Sequence, residues 1–332
     1  MLIDSPSGPF CPAGGFHVDP WGPTERALIT HVHGDHARPG SQAYLCAEPS
    51  RRLLERRLGP GVPIESVPYG QAIAIGDVRV SFHPAGHILG SAQIRIAGAA
   101  GVWVVAGDYK RVADPTCAPF ETVPCDTFVS ESTFGLPIYR WDRTEAIVAE
   151  IMEWWEENAR AERTSALFCY TAGKAQRILA ELTRVTDRPI FVHGAMLPMI
   201  AAYRDAGVHM LATSSVTEQP KGRKFAGELV LAPLSARGTP WMRRLGVHSD
   251  AFASGLMRVR GVRRQRAFDR GFVLSDHADW PALLETIAAS GASRILATHG
   301  HAEPLARYLR EQGVDAGTMR TAWEGETDGD ET

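Results

Sequence analysis

The feature that most restricts the fold is a recurrent one: a short apolar run that ends on a residue able to do chemistry. His31 follows ALIT, Asp108 follows VWVVAG, Glu131 follows TFVS, His277 follows FVLSD and His299 follows RILAT, while His87 lies a few residues beyond VRVSF. Runs of this length, apolar or alternating and broken by Gly and Pro, read as strands; RALIT, QAIAIGDVRVSF, AQIRIAG and GVWVVAG belong to the same class. In layered α/β proteins a rigid sheet aims the loops beyond its strand ends, and binding side chains collect there. The expectation is an α/β chain whose strand termini converge on one rim.

Helical spacing dominates the middle of the chain. DRTEAIVAEIMEWWEENARAER, at 142–163, places Ile147, Ile151, Trp154 and Trp155 on one face, so Met152 and the two tryptophans read as core packing. ALFCY then reads as a strand and TAGKAQRILAELTRV as a helix, while GFVLSDH and SRILATHG return to strand.

With 332 residues, 44% of them hydrophobic and 22% charged, the chain has the profile of a globular protein of two or three domains. The opening MLIDSPSGPF does not read as a secretory leader, and no run approaches the ~18 apolar residues of a membrane span. Five scattered cysteines without a CxxC pair predict reduced thiols, a cytoplasmic location and no cysteine-based zinc site. The net charge of −3 conceals an asymmetry: residues 221–270 hold twelve Lys or Arg against three acids. Such a stretch on an acidic body is suited to a polyanion, or else forms a solvated face. Arg258 and Arg260, then Arg264 and Arg266, alternate, and an extended segment would aim them to one side; Arg263, Arg264 and Arg266 are the proposed backbone contacts. The acidic tail from about Glu324 is expected to be disordered.

HVHGDH, at 31–36, packs three of the chain's 12 histidines beside an aspartate. On an extended segment His31 and His33 point the same way and could grip one cation, while Asp35 and His36 project toward a second position. His87, in HPAGHILGSAQI, is surrounded by small residues that leave room for approach, and Asp108 in AGDYK is the natural carboxylate to bridge two cations. Lys174 sits at a helix start, where the ammonium and unsatisfied backbone N–H groups could hold a phosphate. His83 and His193 read as packing or surface residues.

These blocks resemble the metallo-β-lactamase superfamily and, within it, the β-CASP nucleases. HVHGDH, AGHILGS and AGDYK look like its metal motifs, and Asp19 in FHVDP resembles its early aspartate motif. Glu131 in ESTFG, His277 in SDHAD and His299 in THG look like the motifs of the nuclease branch, and FCYTAGKAQRIL resembles part of its inserted domain. The compact chain and its GPFCPAGGFHVDPWGP opening look most like the bacterial ligase-associated DNA exonucleases.

The resemblance implies a four-layer αββα metallo-β-lactamase domain, from 1–133 and 271–332, with an α/β β-CASP domain inserted at 134–270. It implies one zinc on His31, His33 and His87, a second on Asp35, His36 and His299, and Asp108 bridging. Manganese is the alternative metal. Asp35, His277, Glu131 and Asp19 are the catalytic set: Asp19 is read as fixing a ligand or loop, and His277, oriented by Glu131, as the acid that protonates the departing sugar oxygen. The expected activity is a two-metal phosphodiesterase, a DNA exonuclease of repair and end processing with 5′-to-3′ polarity, working with a DNA ligase and not at a membrane. RNA processing of the mRNA 3′-end type is the alternative. Gly300-His301, where RNA-processing relatives commonly carry Gly-Glu, counts against RNA; His299, often missing from DNA-cleaving crosslink-repair relatives, counts the other way. A small-ester hydrolase is a further reading, which would need the metal motifs but neither the insertion nor its basic stretch.

Overall fold

Neighbouring residues of a strand face opposite sides of the sheet, and in the strand Arg26–Leu28 this separates Ala27 from Leu28. Leu28 joins Phe16, Val18 and Leu45 in a core shared with Val80, Phe82, Ile94 and Val105. Ala27 joins Ile29, Tyr44 and Leu54 on the other face, where the helix Arg51–Leu58 contributes Leu54. The same division recurs at Thr127–Glu131 and Arg294–Thr298. Val129 and Leu296 face the shared core, whereas Phe128 and Ile295 pack with Leu283 and Ile287 of the helix Trp280–Ala289 and Leu305 and Leu309 of the helix Ala302–Glu311. Burying each large apolar side chain contributes about 1.5–3 kcal/mol, so alternation stacks helix, sheet, sheet and helix in succession.

The computed structural model describes residues 1–321, which leaves the acidic tail from about Glu324 outside the described residues. Contacts divide the chain into two units, Met1–Tyr139 with the segment from His277 onward, and Arg140–Asp276. Both joints fall later than the 133/134 and 270/271 positions expected from sequence. Phe134 packs edge-on against Tyr139, whose carbonyl accepts from Trp280 N–H, and the strand Arg270–Phe272 pairs with His248–Ala253 inside the second unit.

The first unit holds two sheets. One runs in chain order through Ile3–Ser5, Gly8–Cys11, Phe16–Val18, Arg26–Leu28, Ala43–Ala47 and Ile64–Val67, and turns from antiparallel to parallel at Phe16–Val18. In the other, Asp315–Thr318, Arg294–Thr298, Thr127–Glu131 and Gly101–Val105 are parallel, followed by the antiparallel strands Ala92–Gly98, Val78–Pro84 and Ile73–Ile75. The second unit is built on a six-stranded, wholly parallel sheet. Its strands Thr164–Phe168 and Leu229–Ala232 are buried at every residue, as parallel strands covered on both faces must be. The helix Thr144–Arg160 buries Ile147, Ile151, Trp154 and Trp155, and its tryptophans are core residues. The described residues are of mixed α/β class. Among the described residues no helix is long and apolar enough to cross a membrane.

One local expectation fails. Residues 258–266 are not extended: Gly255–Arg258 is a 3-10 turn and Arg260–Arg266 an α-helix. Arg and Gln are good helix formers, and the positions that alternate also satisfy i, i+3 and i+4. Arg260, Arg263 and Arg264 therefore share an exposed face, while Arg266 lies 5.3 Å from the Phe252 ring centroid and Arg258 pairs with Asp142 at 3.1 Å. The strand predicted through GFVLSDH stops at Phe272.

Candidate metal centre

The site begins with Asp19, held at φ 43°, a left-handed conformation that Asp tolerates better than most side chains. Its Oδ1 accepts from Thr30 N–H at 2.8 Å and its Oδ2 from the Thr30 hydroxyl at 2.6 Å, which ties it to the segment entering HVHGDH. The same Oδ2 lies 2.8 Å from His36 Nδ1. A carboxylate on Nδ1 selects the tautomer with its proton there and leaves Nε2 as the electron-pair donor. The segment after His31 turns back on itself, Ala37 N–H reaching the His33 carbonyl at 2.8 Å, and so presents four side chains within a few residues.

Two further loops complete the set. Gly86 adopts φ 73°, and any Cβ there would run into the Lys110 carbonyl; Lys110 N–H in turn bonds the Ala85 carbonyl at 3.0 Å. That close approach ties the loop of His87 to the loop of Asp108. His299 is itself left-handed, φ 57°, followed by Gly300 at φ 51°, whose missing side chain admits Ser132 and Thr133 backbone. The Ser132 hydroxyl lies 2.5 Å from the His299 carbonyl, and His301 N–H bonds the Ser132 carbonyl at 2.7 Å. Strain of this kind persists where the surroundings over-determine it.

The side chains so placed form two groups that could hold metal ions, His31, His33, His87 and Asp108 in one, and Asp35, His36 and His299 in the other. Nδ1 of His33 lies 3.1 Å from Nε2 of both His31 and His87, and Asp108 Oδ2 lies 3.4 Å from His31 Nε2. Four donors about 2.0–2.1 Å from a tetrahedral ion stand roughly 3.3–3.4 Å apart; these separations, with 3.9 Å from His87 Nε2 to Asp108 Oδ2, are close to what one ion would set. One ring N–H is at best shared weakly between two acceptors, so three converging nitrogens are better explained by a cation than by hydrogen bonds. In the second group His36 Nε2 lies 3.4 Å from Asp35 Oδ2 and 3.5 Å from Asp108 Oδ1. Buried His36 Nε2, Asp108 Oδ1 and His299 Nδ1 have no hydrogen-bond partner among the described residues. Unsatisfied atoms of this kind are rare; His36 Nε2 and Asp108 Oδ1 lie against each other at the second group, to which His299 also belongs. The residues fit a pair of ions, with Asp108 turning one oxygen to each group.

The electrostatics agree. Burial lowers the His31 pKa well below the ordinary imidazole value and that of His299 to about 4, so both stay neutral and able to donate an electron pair. Burial, opposed by His36 and reinforced by Glu131, pushes Asp108 up to about 7, as for a carboxylate whose charge a bound cation would favour. Burial also opposes charge on His36, but Asp35, Asp108 and Asp19 together outweigh it and raise its pKa. Without an ion the ring itself thus takes up the positive charge these carboxylates favour, and an ion would have to displace that proton from Nε2. Asp35 is shifted down, its burial outweighed by His36.

Beside these lies a third group of Asp108, Glu131 and His277. Glu131 is buried and accepts from Tyr109 N–H at 2.7 Å, while His277 Nδ1 lies 3.0 and 3.2 Å from its two oxygens. Burial would raise the Glu131 pKa; the His277 imidazole and the Tyr109 N–H overcome it and hold it below the ordinary value. His277 Nδ1 is 3.9 Å from Asp108 Oδ2, so the pair sits against the metal groups.

The remaining sequence-selected residues are elsewhere. Lys174 is buried and pairs with Asp276 at 2.8 Å, which Arg177 also holds at 3.0 Å, so its ammonium secures a carboxylate in place of the expected phosphate. His83 lies between Ser81 and Glu121, and His193 packs edge-on against Trp241. Sequence reasoning missed Thr30 and Ser132, whose small hydroxyls carry no signal until the fold sets them against Asp19 and His299. The hydrogen bond to His36 assigns Asp19 a testable effect: Asp19→Asn is expected to weaken metal affinity by about 10–100-fold without removing a donor. Chelator-competition titration of the variant would show this, and an affinity equal to that of the parent would discount the contact.

No family model matches the chain. It is 29% identical over 316 residues to a probable DNA ligase of Opitutus terrae, across 93% of this chain and 30% of that protein. It is 22% identical to the endoribonuclease YSH1 of Eremothecium gossypii, across 74% of this chain and 39% of that protein. A shorter match, 28% identical over 35% of this chain and 15% of the other, is to the cleavage and polyadenylation specificity factor subunit 3 of Dictyostelium discoideum. The chain thus spans less than two fifths of the length of each of these curated relatives. A protein of unknown function from Enterococcus faecalis shares the fold with a TM-score of 0.60 at 12% identity, over 90% of this chain and 80% of that one.

Proposed function

We propose that this chain is a two-metal phosphodiesterase of the β-CASP branch of the metallo-β-lactamase superfamily, acting as a DNA exonuclease in end processing, with 5′-to-3′ polarity. The observation that carries the reading is Asp108, whose two oxygens lie 3.4 Å from His31 Nε2 and 3.5 Å from His36 Nε2 and so link the two donor groups. The similarity to a protein named probable DNA ligase supports a role beside strand joining, and the similarity to proteins named endoribonucleases supports nucleic-acid cleavage. RNA is the alternative substrate for that reason.

His31, His33, His87 and Asp108 would hold one ion, and Asp35, His36 and His299, with Asp108, the other. Imidazole with carboxylate suits zinc, manganese being the alternative. Such ions, when bound, supply Lewis acidity that neutralises phosphate charge and lowers the pKa of water toward ~7. Asp19 keeps the His36 ring in register. Glu131 fixes His277 through Nδ1, so that Nε2 is the atom from which a proton would pass to the departing sugar oxygen. Arg263 and Arg264, exposed together with Arg260, and Arg266 are proposed backbone contacts; a cytoplasmic location and a ligase partner belong to the same reading.

The test is digestion of end-labelled single- and double-stranded DNA and matched RNA by metal-reconstituted protein, with EDTA and a generic ester alongside. Progressive, chelator-sensitive loss of nucleotides from one DNA end is expected. Hydrolysis of the ester with both nucleic acids intact would replace this reading with a small-ester hydrolase.

A further inference from the structure

The basic stretch does not form one surface. The helix Arg260–Arg266 accounts for one part, and a separate concavity in the Arg140–Asp276 unit gathers another. This pocket, of about 790 Å³, is lined by Lys221, Arg223, Lys224, Arg243 and Arg244, with Glu162 the acid among its lining residues. Lys221, Lys224 and Arg243 are exposed. Two guanidinium groups are held in place: Arg244 donates to the Gln219 carbonyl at 2.8 Å, and Arg223 to Glu228 at 3.0 Å while lying 5.3 Å from the Phe191 ring centroid. The lining also includes Phe225 and Leu245, which are buried, and Val247, which is 72% exposed.

We propose that this pocket is a second nucleic-acid site, one that seats a nucleotide-sized length of single strand, phosphate against the cations and sugar or base against Val247. The proposal rests on the nuclease reading for its choice of polyanion. Five cations face Glu162 as the one acid among the lining residues, and Arg223 shares its charge with Glu228, so the concavity stays net positive and its shape focuses the field that draws in an anion. A solvated basic face would carry its cations on a convex surface with freely rotating heads; here two heads are tethered and the cations surround a hollow. Size selects the guest. Pockets of about 300–1,000 Å³ enclose a ligand of drug or nucleotide size, far more than a lone phosphate fills, whereas a duplex is too broad to enter. Cations that track a backbone are one half of the arrangement by which proteins hold single strands without reading sequence. The other half is a face for the base, offered here by exposed Val247 in place of the usual aromatic ring.

The experiment uses the full metal-loaded chain carrying Lys221→Gln, Lys224→Gln and Arg243→Gln together, all at exposed positions. Binding of fluorescent oligo-dT and oligo-U is followed by anisotropy across a salt series, with turnover of a small chromogenic phosphodiester measured in parallel. Affinity at low salt should fall by on the order of 10-fold or more, and the salt slope should flatten by up to ~0.7 per lost contact, about 2 in all. Turnover of the small diester, which needs no strand, should be unchanged. The charge-preserving set Lys221→Arg, Lys224→Arg and Arg243→Lys should restore both affinity and slope. A neutralised variant that keeps the parental affinity and slope overturns the proposal, as does a parent that binds neither strand. Binding lost in the variant, from a parent that binds strands but cleaves none, would support the pocket while removing the nuclease reading.

Discussion

Replacing Asp108 with alanine is expected to deplete both metal positions together and to lower cleavage by on the order of 10³-fold or more, beyond the ~10²–10³ lost with a single electrostatic donor. Its two oxygens reach the two donor groups, with Oδ2 at 3.4 Å from His31 Nε2 and Oδ1 at 3.5 Å from His36 Nε2. The carboxylate is only 6% exposed, and its Oδ1 has no hydrogen-bond partner among the described residues, so its removal leaves little else broken. His31, His33 and His87 remain as three donors, and weak retention of one ion is therefore expected in the variant. Elemental analysis should find close to two transition-metal ions per parent chain and fewer than one in Asp108→Ala. A thermal shift supplies a second readout, since an ion that binds the folded state at 100 times its Kd stabilises it by about 2.7 kcal/mol. That metal-dependent rise in Tm should shrink in the variant. Two ions retained by Asp108→Ala would remove the bridging role, and a metal-free parent that cleaves in EDTA would remove the metal reading altogether.

The candidate donors that the fold brings together were legible because most are consecutive or close to strand ends. HVHGDH supplies four candidates in six residues, and the period of a strand already sets His31 and His33 on one side. The buried tryptophans of Thr144–Arg160 were equally plain, because a helical stripe of large apolar residues has few other uses. Reading failed where two periods fit one segment. Arg258 to Arg266 alternates as a strand would and also repeats at i, i+3 and i+4, and intrinsic helix preference decided the matter. It failed again at Lys174, where a glycine-lysine helix start resembles a phosphate cradle. The pairing with Asp276 is a contact across about a hundred residues and leaves no local trace. The basic pocket was hidden for a related reason. Lys221 to Lys224 and Arg243 to Arg244 are two unremarkable basic clusters until the turn at Phe225 and the segment Leu245–Val247 bring them around one hollow.

His277→Ala separates a proton donor from a metal ligand, two roles that its surroundings could serve. Its Nδ1 lies 3.0 Å from Glu131 Oε2, and Glu131 is fixed from behind by Tyr109 N–H at 2.7 Å. A ring held this way keeps its Nδ1 proton on the carboxylate side and presents Nε2 for transfer. The rival arrangement is the third donor group, Asp108 with Glu131 and His277, in which the imidazole would bind an ion directly. If His277 delivers the proton, the alanine variant should keep its two metal ions while turnover falls by about 10²–10⁴-fold. The loss should then depend on the leaving group. A natural sugar alkoxide needs the proton and should suffer the whole effect, whereas a nitrophenolate departs without it and should be cleaved at close to the parental rate. Glu131→Gln, which keeps the shape but not the charge, should show the same leaving-group dependence with a smaller loss. Equal losses on both substrates would assign His277 to positioning the phosphate, and a variant that has lost one ion would make it a ligand.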